Sequence, residues 1–324
     1  MTRRTVISRS STESRSVNSI EPTVWLNEQW RSMSDASIPL FDLGLWGLAA
    51  TEMLRTYGGR AVLVDRHIDR LIDSALAMRF GNEAVELPTK NRLKSLIEEA
   101  IERNQSLAGH DGDLGLSVCI TAGANSYLAP NGTETNCGSV SIVPFKLPLL
   151  SFQERIQNGQ HLVVSSVRRI SEACLPGHIK SRSRLHWRLA EIDVRKRHSE
   201  AVPVLLDEDD RITETSTSNV FLVKGESLLT PSTNVLRGIT RAVVLELAEQ
   251  SGLDSHEVDL TTADVLAADE VFTTSSLPGL CPVSRFNDKS VIGGVPGAVT
   301  RQLTEAFSQY VGIDIVRQIL KAAN

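Results

Sequence analysis

Eight lysines stand against 26 arginines in this chain, so a lysine set among apolar and turn-forming residues needs a reason. Lys180 is one: in PGHIKSRSR it follows Pro176-Gly177 and Ile179 and precedes a helical stretch. An amine drawn out of water there, flanked by Arg182 and Arg184, has its proton destabilised and can form a Schiff base. A solvated lysine at a helix start is the alternative. In RITETSTSNVFLV, Glu214 lies in a run of small hydroxyl residues that leads into an apolar strand. Hydroxyl and backbone donors can hold such a carboxylate ionised and aim it at a cationic nitrogen; a polar turn with a capping Glu reads the same way. Gly238-Ile239-Thr240 opens a helix whose free N–H groups, with the Thr240 hydroxyl, make an anion site. Arg70 lies on a helix between Ile68 and Leu71, where an arginine usually meets a carboxylate or a phosphate; placement on the surface is the alternative. Ser275 and Ser276 close the strand EVFTTS ahead of Leu277-Pro278-Gly279, so their hydroxyls and backbone N–H groups can offer further anion donors; an ordinary serine-rich turn is the alternative.

The elements that must position these groups follow from periodicity. TVWLN and SIPLFDLG read as two short strands around a polar loop, and GGRAVLVD as a hairpin strand. Helical spacing runs from Arg66 to Phe80 and from Pro88 to Asn104. LSVCITAG and GSVSIVPF are strands, so a small α+β unit spans 21–145. KLPLLSFQERIQNG shows no clean period and reads as a linker over 146–158. A larger unit, 159–324, begins with the strand HLVVSSVRR and a helix from Ser183 to His198. It continues through VPVLLD, NVFLVK, SLLT, a helix from Thr240 to Ser251, HEVDL, the short helix TADVLAAD, EVFTTS, and a helix from Pro296 to Tyr310. The Ser/Arg-rich residues 1–20 read as a disordered tail, with an organelle transit peptide as the alternative.

Composition removes several function classes. With 41% apolar and 23% charged residues, the 324-residue chain has an ordinary globular mixture, long enough for two domains without a metal or disulfide staple. A net charge of −5 gives no general attraction for nucleic acid or anionic lipid. Cys119, Cys137, Cys174 and Cys281 form no CxxC pair, and the seven histidines no zinc spacing. No metal site is expected, and free thiols fit a cytoplasmic protein. No apolar run approaches a membrane span, and no secretory leader precedes the sequons at Asn104 and Asn131. There is no P-loop and no GxGxxG after a strand.

The order of these signals is more specific than any one of them. HIDRL (His67 to Leu71), HIKS, ETSTSNVF with LLTP, RGITR, ADEVFTTSS, CPV and GGVPGAVTRQL together resemble the class IV aminotransferases, the fold-type IV pyridoxal phosphate enzymes, over Val24 to Tyr310. That family includes branched-chain aminotransferases, D-amino-acid aminotransferases and aminodeoxychorismate lyase. The resemblance implies an α+β protein with a small N-terminal domain and a larger domain built on a barrel-like sheet. It implies a homodimer with pyridoxal 5'-phosphate between the domains and loops of the partner completing each site. By the same resemblance Lys180 carries the cofactor as a Schiff base and shuttles a proton, and Glu214 pairs with the ring nitrogen. Arg70, Ile239, Thr240, Ser275 and Ser276 hold the phosphate.

The substrate side departs from the family. DLGLWGLAATE has Ala49, Ala50 and Thr51 before Glu52, where the family carries DGVFE or GDGVYE. Ala122-Gly123 replaces the Arg-Gly of the D-amino-acid enzymes, and their following Arg-x-His is missing. Leu185 stands where branched-chain enzymes have a tyrosine, and the loop from Thr230 to GITR is short. The expected activity is transfer of an amino group from an amino acid to a 2-oxo acid, with a hydrophobic or branched side chain favoured. Arg169, Arg182 and Arg184 are the candidates for the substrate carboxylate. A pyruvate-eliminating lyase, suggested by SSLPGLCPV, and a non-catalytic cofactor-binding protein are the alternatives.

Overall fold

A computed structural model describes residues 20–80, 87–131, 138–291 and 294–322. All but the last residue of the expected N-terminal tail therefore lies outside the described residues, as does Cys137. The N-terminal sheet contains β1 (Thr23–Leu26), β2 (Gln29–Ser32), β3 (Ala49–Tyr57), β4 (Arg60–Ala61), β5 (Leu114–Thr121) and β6 (Val140–Lys146). Their order is β2-β1-β6-β5-β3-β4. Alternation divides its faces. Leu54, Leu116, Val118, Ile120 and Ile142 pack beneath α1 (Val64–Ala77) and α2 (Lys90–Arg103), whereas Ser117, Cys119 and Thr121 fall on the opposite face. Glu52 pairs in register with Val118, which puts a carboxylate on the helix-covered face.

The C-terminal sheet is built from β7 (Gln160–Val164), β8 (Val202–Leu206), β9 (Ile212–Thr215), β10 (Asn219–Lys224), β11 (Ser227–Pro231), β12 (Asp254–Val258), β13 (Glu270–Ser275), β14 (Gly279–Phe286) and β15 (Lys289–Ser290). Strands β10-β13-β14-β7-β8-β9 form a closed ring, because β9 pairs back onto β10 at Asn219↔Glu214. On one face Phe221 and Phe272 stack at 5.0 Å between ring centroids. They pack against α3 (Leu149–Asn158), α5 (Ile239–Gln250), α7 (Ala298–Val311) and α8 (Ile315–Lys321) through Val243, Val244, Leu303, Phe307 and Ile319. Val220, Leu222, Val271 and Val283 share a second cluster with Val265 of α6 (Thr262–Leu266). A further helix, α4 (Leu185–Arg195), lies against β8 through Trp187, Ala190 and Leu205.

The two sheets are joined at the end of β3. Arg55, 2% exposed, donates from Nη1 to the Leu277 carbonyl at 2.6 Å and from Nη2 to Gln318 of α8, with Asp113 at 3.6 Å. Gln318 in turn donates to Asp113 at 2.6 Å, and the Tyr57 hydroxyl donates to the Ser276 carbonyl at 3.2 Å.

Several expectations are corrected. The segment expected to be an irregular linker contains α3, whose Leu149, Phe152 and Ile156 point inward. That i, i+3, i+7 stripe is a helical period, obscured in sequence by Pro148 and the adjacent leucines. SIPLFDLG is not a strand: Asp42 caps a 3-10 turn over Leu43–Trp46 by accepting from Gly44 N at 2.7 Å. Strand β3 and the helix α8 were not anticipated. Strand β3 mixes Thr, Glu, Met and Arg because one of its faces meets helices and the other a cavity, so no clean alternation marks it.

Candidate active site

The segment carrying Lys180 is held as an extra half-strand on the edge of β3. Thr51 N donates to the Lys180 carbonyl at 3.0 Å and Arg182 N to the Ala49 carbonyl at 2.9 Å, around the bridge Ala50↔Ser181. The Lys180 N–H is itself fixed by the Ser74 hydroxyl of α1 at 3.1 Å. Strand β3 and helix α1 thus clamp the backbone, and the amine has little freedom left except along its own stem. Among the described residues the Lys180 amine has no hydrogen-bond or ion-pair partner. Burial pushes its pKa down to about 8, against the opposing pull of Glu52 and Glu214, with Arg70 and Arg184 adding to the fall.

Glu214 lines the same cleft as Lys180. It stands on β9 rather than in the hydroxyl-rich turn that follows, and is 7% exposed. Its carboxylate accepts from Asn219 Nδ2 at 3.3 Å and Leu236 N at 3.2 Å, and faces Arg169 Nη2 at 3.4 Å. Burial raises its pKa, and Arg169 is the strongest force opposing that rise. Arg169 also donates to the Asn234 carbonyl at 3.3 Å and to His186 Nε2 at 3.1 Å. His186 accepts because burial, aided by Arg169 and Arg184, depresses its pKa to about 4 and leaves the ring neutral. Arg169 is therefore committed to Glu214, which removes it from the substrate-carboxylate candidates.

Arg70 meets a carboxylate. Its Nε and Nη2 donate to the two oxygens of Glu52 at 2.7 and 2.8 Å, and Nη1 to the Arg237 carbonyl at 3.0 Å, next to Gly238-Ile239-Thr240. His67 Nδ1 sits 2.8 Å from Glu52. Burial alone would raise the Glu52 carboxyl, but Arg70 and His67 outweigh it and hold the carboxyl well below the ordinary range. An ionised carboxylate only accepts, so His67 is fixed as the Nδ1–H tautomer. This triad was only partly legible: HIDRL supplies His67 and Arg70, but Glu52 lies on a strand whose pattern gave no signal.

The start of α5 matches an anion cradle. Its N-cap is Gly238, so no side chain caps the first turn. A Cβ at Gly238 would lie 2.0 Å from Asn219 Oδ1, so the close approach requires glycine. Ile239 and Thr240 are both buried. On the neighbouring strand the buried Thr274 hydroxyl has no hydrogen-bond partner among the described residues, and its residue pairs with Asn219. A buried hydroxyl left unpaired costs roughly 1–3 kcal/mol, so it marks a position suited to a bound polar group. Sequence reasoning named Ser275 and Ser276 and passed over Thr274. Those serines are half-buried at the end of β13, and among the described residues no hydrogen bond joins them to Arg70 or α5. Lys180, Glu214 and the mouth of α5 are thus brought together by β9, β10 and the β3 edge, with Arg70 arriving from α1.

A groove of about 1290 Å³ at α3, α7 and α8 shares no residue with this cluster. Among the described residues no group of His, Cys, Asp and Glu is arranged to hold a metal ion, and no helix is long and apolar enough to cross a membrane.

Comparison with known proteins agrees with the geometry. The family model described as amino-transferase class IV matches residues 49–286. The branched-chain-amino-acid aminotransferase-like protein 2 of Arabidopsis thaliana is 29% identical over 88% of this chain and 49% of its own length. The chain thus spans about half of that plant relative. A D-alanine aminotransferase of Bacillus licheniformis is 28% identical over 89% of this chain and 96% of its own. Among solved structures, the branched-chain aminotransferase of Thermoproteus uzoniensis with norvaline superposes with a TM-score of 0.77. It is 23% identical, covering 90% of this chain and 95% of the other, a likeness of fold.

Proposed function

Because the chain belongs to the class IV aminotransferases, we propose that it is a pyridoxal-phosphate-dependent aminotransferase that moves an amino group from an amino acid to a 2-oxo acid. The observation that carries this reading is the Lys180 amine, without a hydrogen-bond or ion-pair partner among the described residues, in the same cleft as the buried Glu214 carboxylate. Support for the cofactor comes from the family and from a solved branched-chain aminotransferase of the same fold that holds pyridoxamine 5'-phosphate. In this reading Lys180 anchors the cofactor and Glu214 holds its ring nitrogen. The first turn of α5, with Ile239 and Thr240, receives the phosphate together with Arg70, Ser275 and Ser276.

Bound pyridoxal phosphate supplies an electron sink for the charge left when the substrate's α-proton departs. The chain's own residues do the rest. Lys180 Nζ, partly neutral at physiological pH, would take the proton from the substrate's α-carbon and carry it to the cofactor. Arg169 opposes the rise that burial gives the Glu214 pKa and so favours the charged carboxylate, and its two hydrogen-bond donors, Asn219 and Leu236, keep it oriented. Glu52 fixes the guanidinium plane of Arg70, so the arginine contributes donors at the mouth of α5 without adding a bare charge to the interior.

The apolar character of Leu45, Trp46 and Leu189 around the adjoining cavity favours a hydrophobic amino acid. We further propose a homodimer, supported by the exposed Leu40, Tyr127 and Leu128, and, from the widely spaced cysteines, a cytoplasmic location. Borohydride reduction of the protein with pyridoxal phosphate, followed by peptide mapping, should label Lys180. A label on another lysine, or no yellow protein at all, would overturn the proposal.

A further inference from the structure

A substrate amino acid brings a carboxylate into a partly buried space, and burying that charge unpaired is costly. The cations near Lys180 divide cleanly. Arg70 is held by both oxygens of Glu52, and Arg169 by Glu214, Asn234 and His186. Arg184 donates to the Ser216 carbonyl and has Glu191 and Glu214 within electrostatic reach. Arg182 differs from all three. Among the described residues it has no carboxylate partner; its Nη2 donates to the Ser117 hydroxyl at 2.9 Å, and its other side-chain neighbour is the Cys119 thiol.

How Arg182 reaches Ser117 explains the unusual run ahead of Glu52. The backbone of Arg182 is pinned to Ala49, at the start of β3, while Ser117 stands on β5, on the far side of β3. The guanidinium therefore crosses over β3 to the face bearing Ser117, Cys119 and Thr121. Ala49 and Thr51, small residues in register with Thr121 and Cys119, leave the path open. The head then lies in a cavity of about 820 Å³ that Ser117, Cys119 and Ser141 line together with Arg182. Ser183, Arg184 and His186 line both this cavity and the Lys180 cleft, so the two spaces adjoin at the segment after Lys180.

We propose that Arg182, seated on Ser117, grips the carboxylate of the amino-acid and 2-oxo-acid substrates. This assignment rests on the aminotransferase reading above for the identity of its ligand. A guanidinium that already uses one N–H on a neutral hydroxyl keeps its remaining donors for a two-point contact with a carboxylate. Cys119 supplies an independent reporter, because its thiol, pushed up by burial, is drawn back by Arg182.

The test uses 4-methylpentanoate, a carboxylate with no amino or oxo group to react, titrated into the protein loaded with pyridoxal phosphate, alongside the corresponding amide. Arg182→Ala should weaken the carboxylate about tenfold or more, the loss expected for a charge-assisted contact. It should leave the amide and the cofactor absorbance unchanged, which also shows that the variant is folded. Arg182→Lys should recover part of the affinity. In steady state the substrate KM should rise far more than kcat falls. In a second measurement, made with and without cofactor, 4-methylpentanoate should slow alkylation of Cys119 in the parent but not in Arg182→Ala, with the exposed Cys174 as internal control. Equal carboxylate affinity in the parent and Arg182→Ala, or equal protection of Cys119, would overturn the assignment. A protein that binds no pyridoxal phosphate yet protects Cys119 through Arg182 would defeat the aminotransferase reading and leave the carboxylate site standing.

Discussion

The pKa of Lys180 is a functional quantity, because only the neutral amine can attack a carbonyl carbon. Below pH 8 the folded protein holds this amine protonated and without a lone pair; above it the lone pair is free. The rate at which cofactor-free protein takes up pyridoxal phosphate should therefore rise roughly tenfold per pH unit below about 8 and level off above it. Stopped-flow absorbance at fixed cofactor concentration measures this, and a midpoint near the ordinary lysine value of 10.5 would contradict the burial account. Glu214→Gln should move the midpoint down, because the carboxylate's charge helps hold the proton. At this scale the sequence was informative where a residue type was rare or oddly set, as with Lys180 and Glu214. It was silent where function depends on a pairing: nothing in the local strings joins Glu52 to Arg70, Arg169 to Glu214, or Arg182 to Ser117. Those contacts come from segments between 18 and 65 residues apart.

Among the elements, the mouth of α5 was legible because Gly-x-Thr before a helix has a local physical meaning: free N–H groups, no side-chain cap and close approach. Gly238 has φ −62°, an angle any residue adopts, so the glycine is required by space and not by backbone conformation. Gly238→Ala should therefore act through Asn219, whose amide the new methyl would displace from Glu214 Oε2 and the Leu236 carbonyl. We expect a loss of about 1–3 kcal/mol in stability, typical of overpacking, and a weaker hold on pyridoxal phosphate. Thermal denaturation and cofactor titration would read the two effects, and a variant matching the parent in both would show that the close approach is not needed. Strand β3 and helix α3 were the least legible elements, for opposite reasons. The strand has two differently furnished faces and so no simple pattern, whereas the helix has a sound pattern hidden by the proline and leucines at its start.

For the whole molecule we propose units at 21–145 and 159–324, with the α3 segment, 146–158, as the joint between them. The closed ring of six strands was anticipated only through the resemblance, since the pairing of β9 back onto β10 rests on one register pair that no local pattern encodes. The proposed homodimer has its own test. Sedimentation of the cofactor-loaded protein should give twice the chain mass of 35.4 kDa, and Leu40→Asp combined with Tyr127→Asp should shift it toward monomer. A parent that sediments as a monomer at micromolar concentration would exclude that assembly. The contacts at the end of β3 bear on how the chain is made. Domains tend to fold in the order they are synthesised, so β3 is formed while Leu277 and Gln318 are still to come. Until residues 276 and 277 have left the ribosome, the turn beyond Ser275 is not moored to β3, and until α8 follows, Arg55 lacks its Gln318 acceptor. In the proposed reading the nascent chain thus holds Lys180 and Glu214 before the turn beyond Ser275 is moored to β3, and capture of the cofactor becomes a late step in its folding.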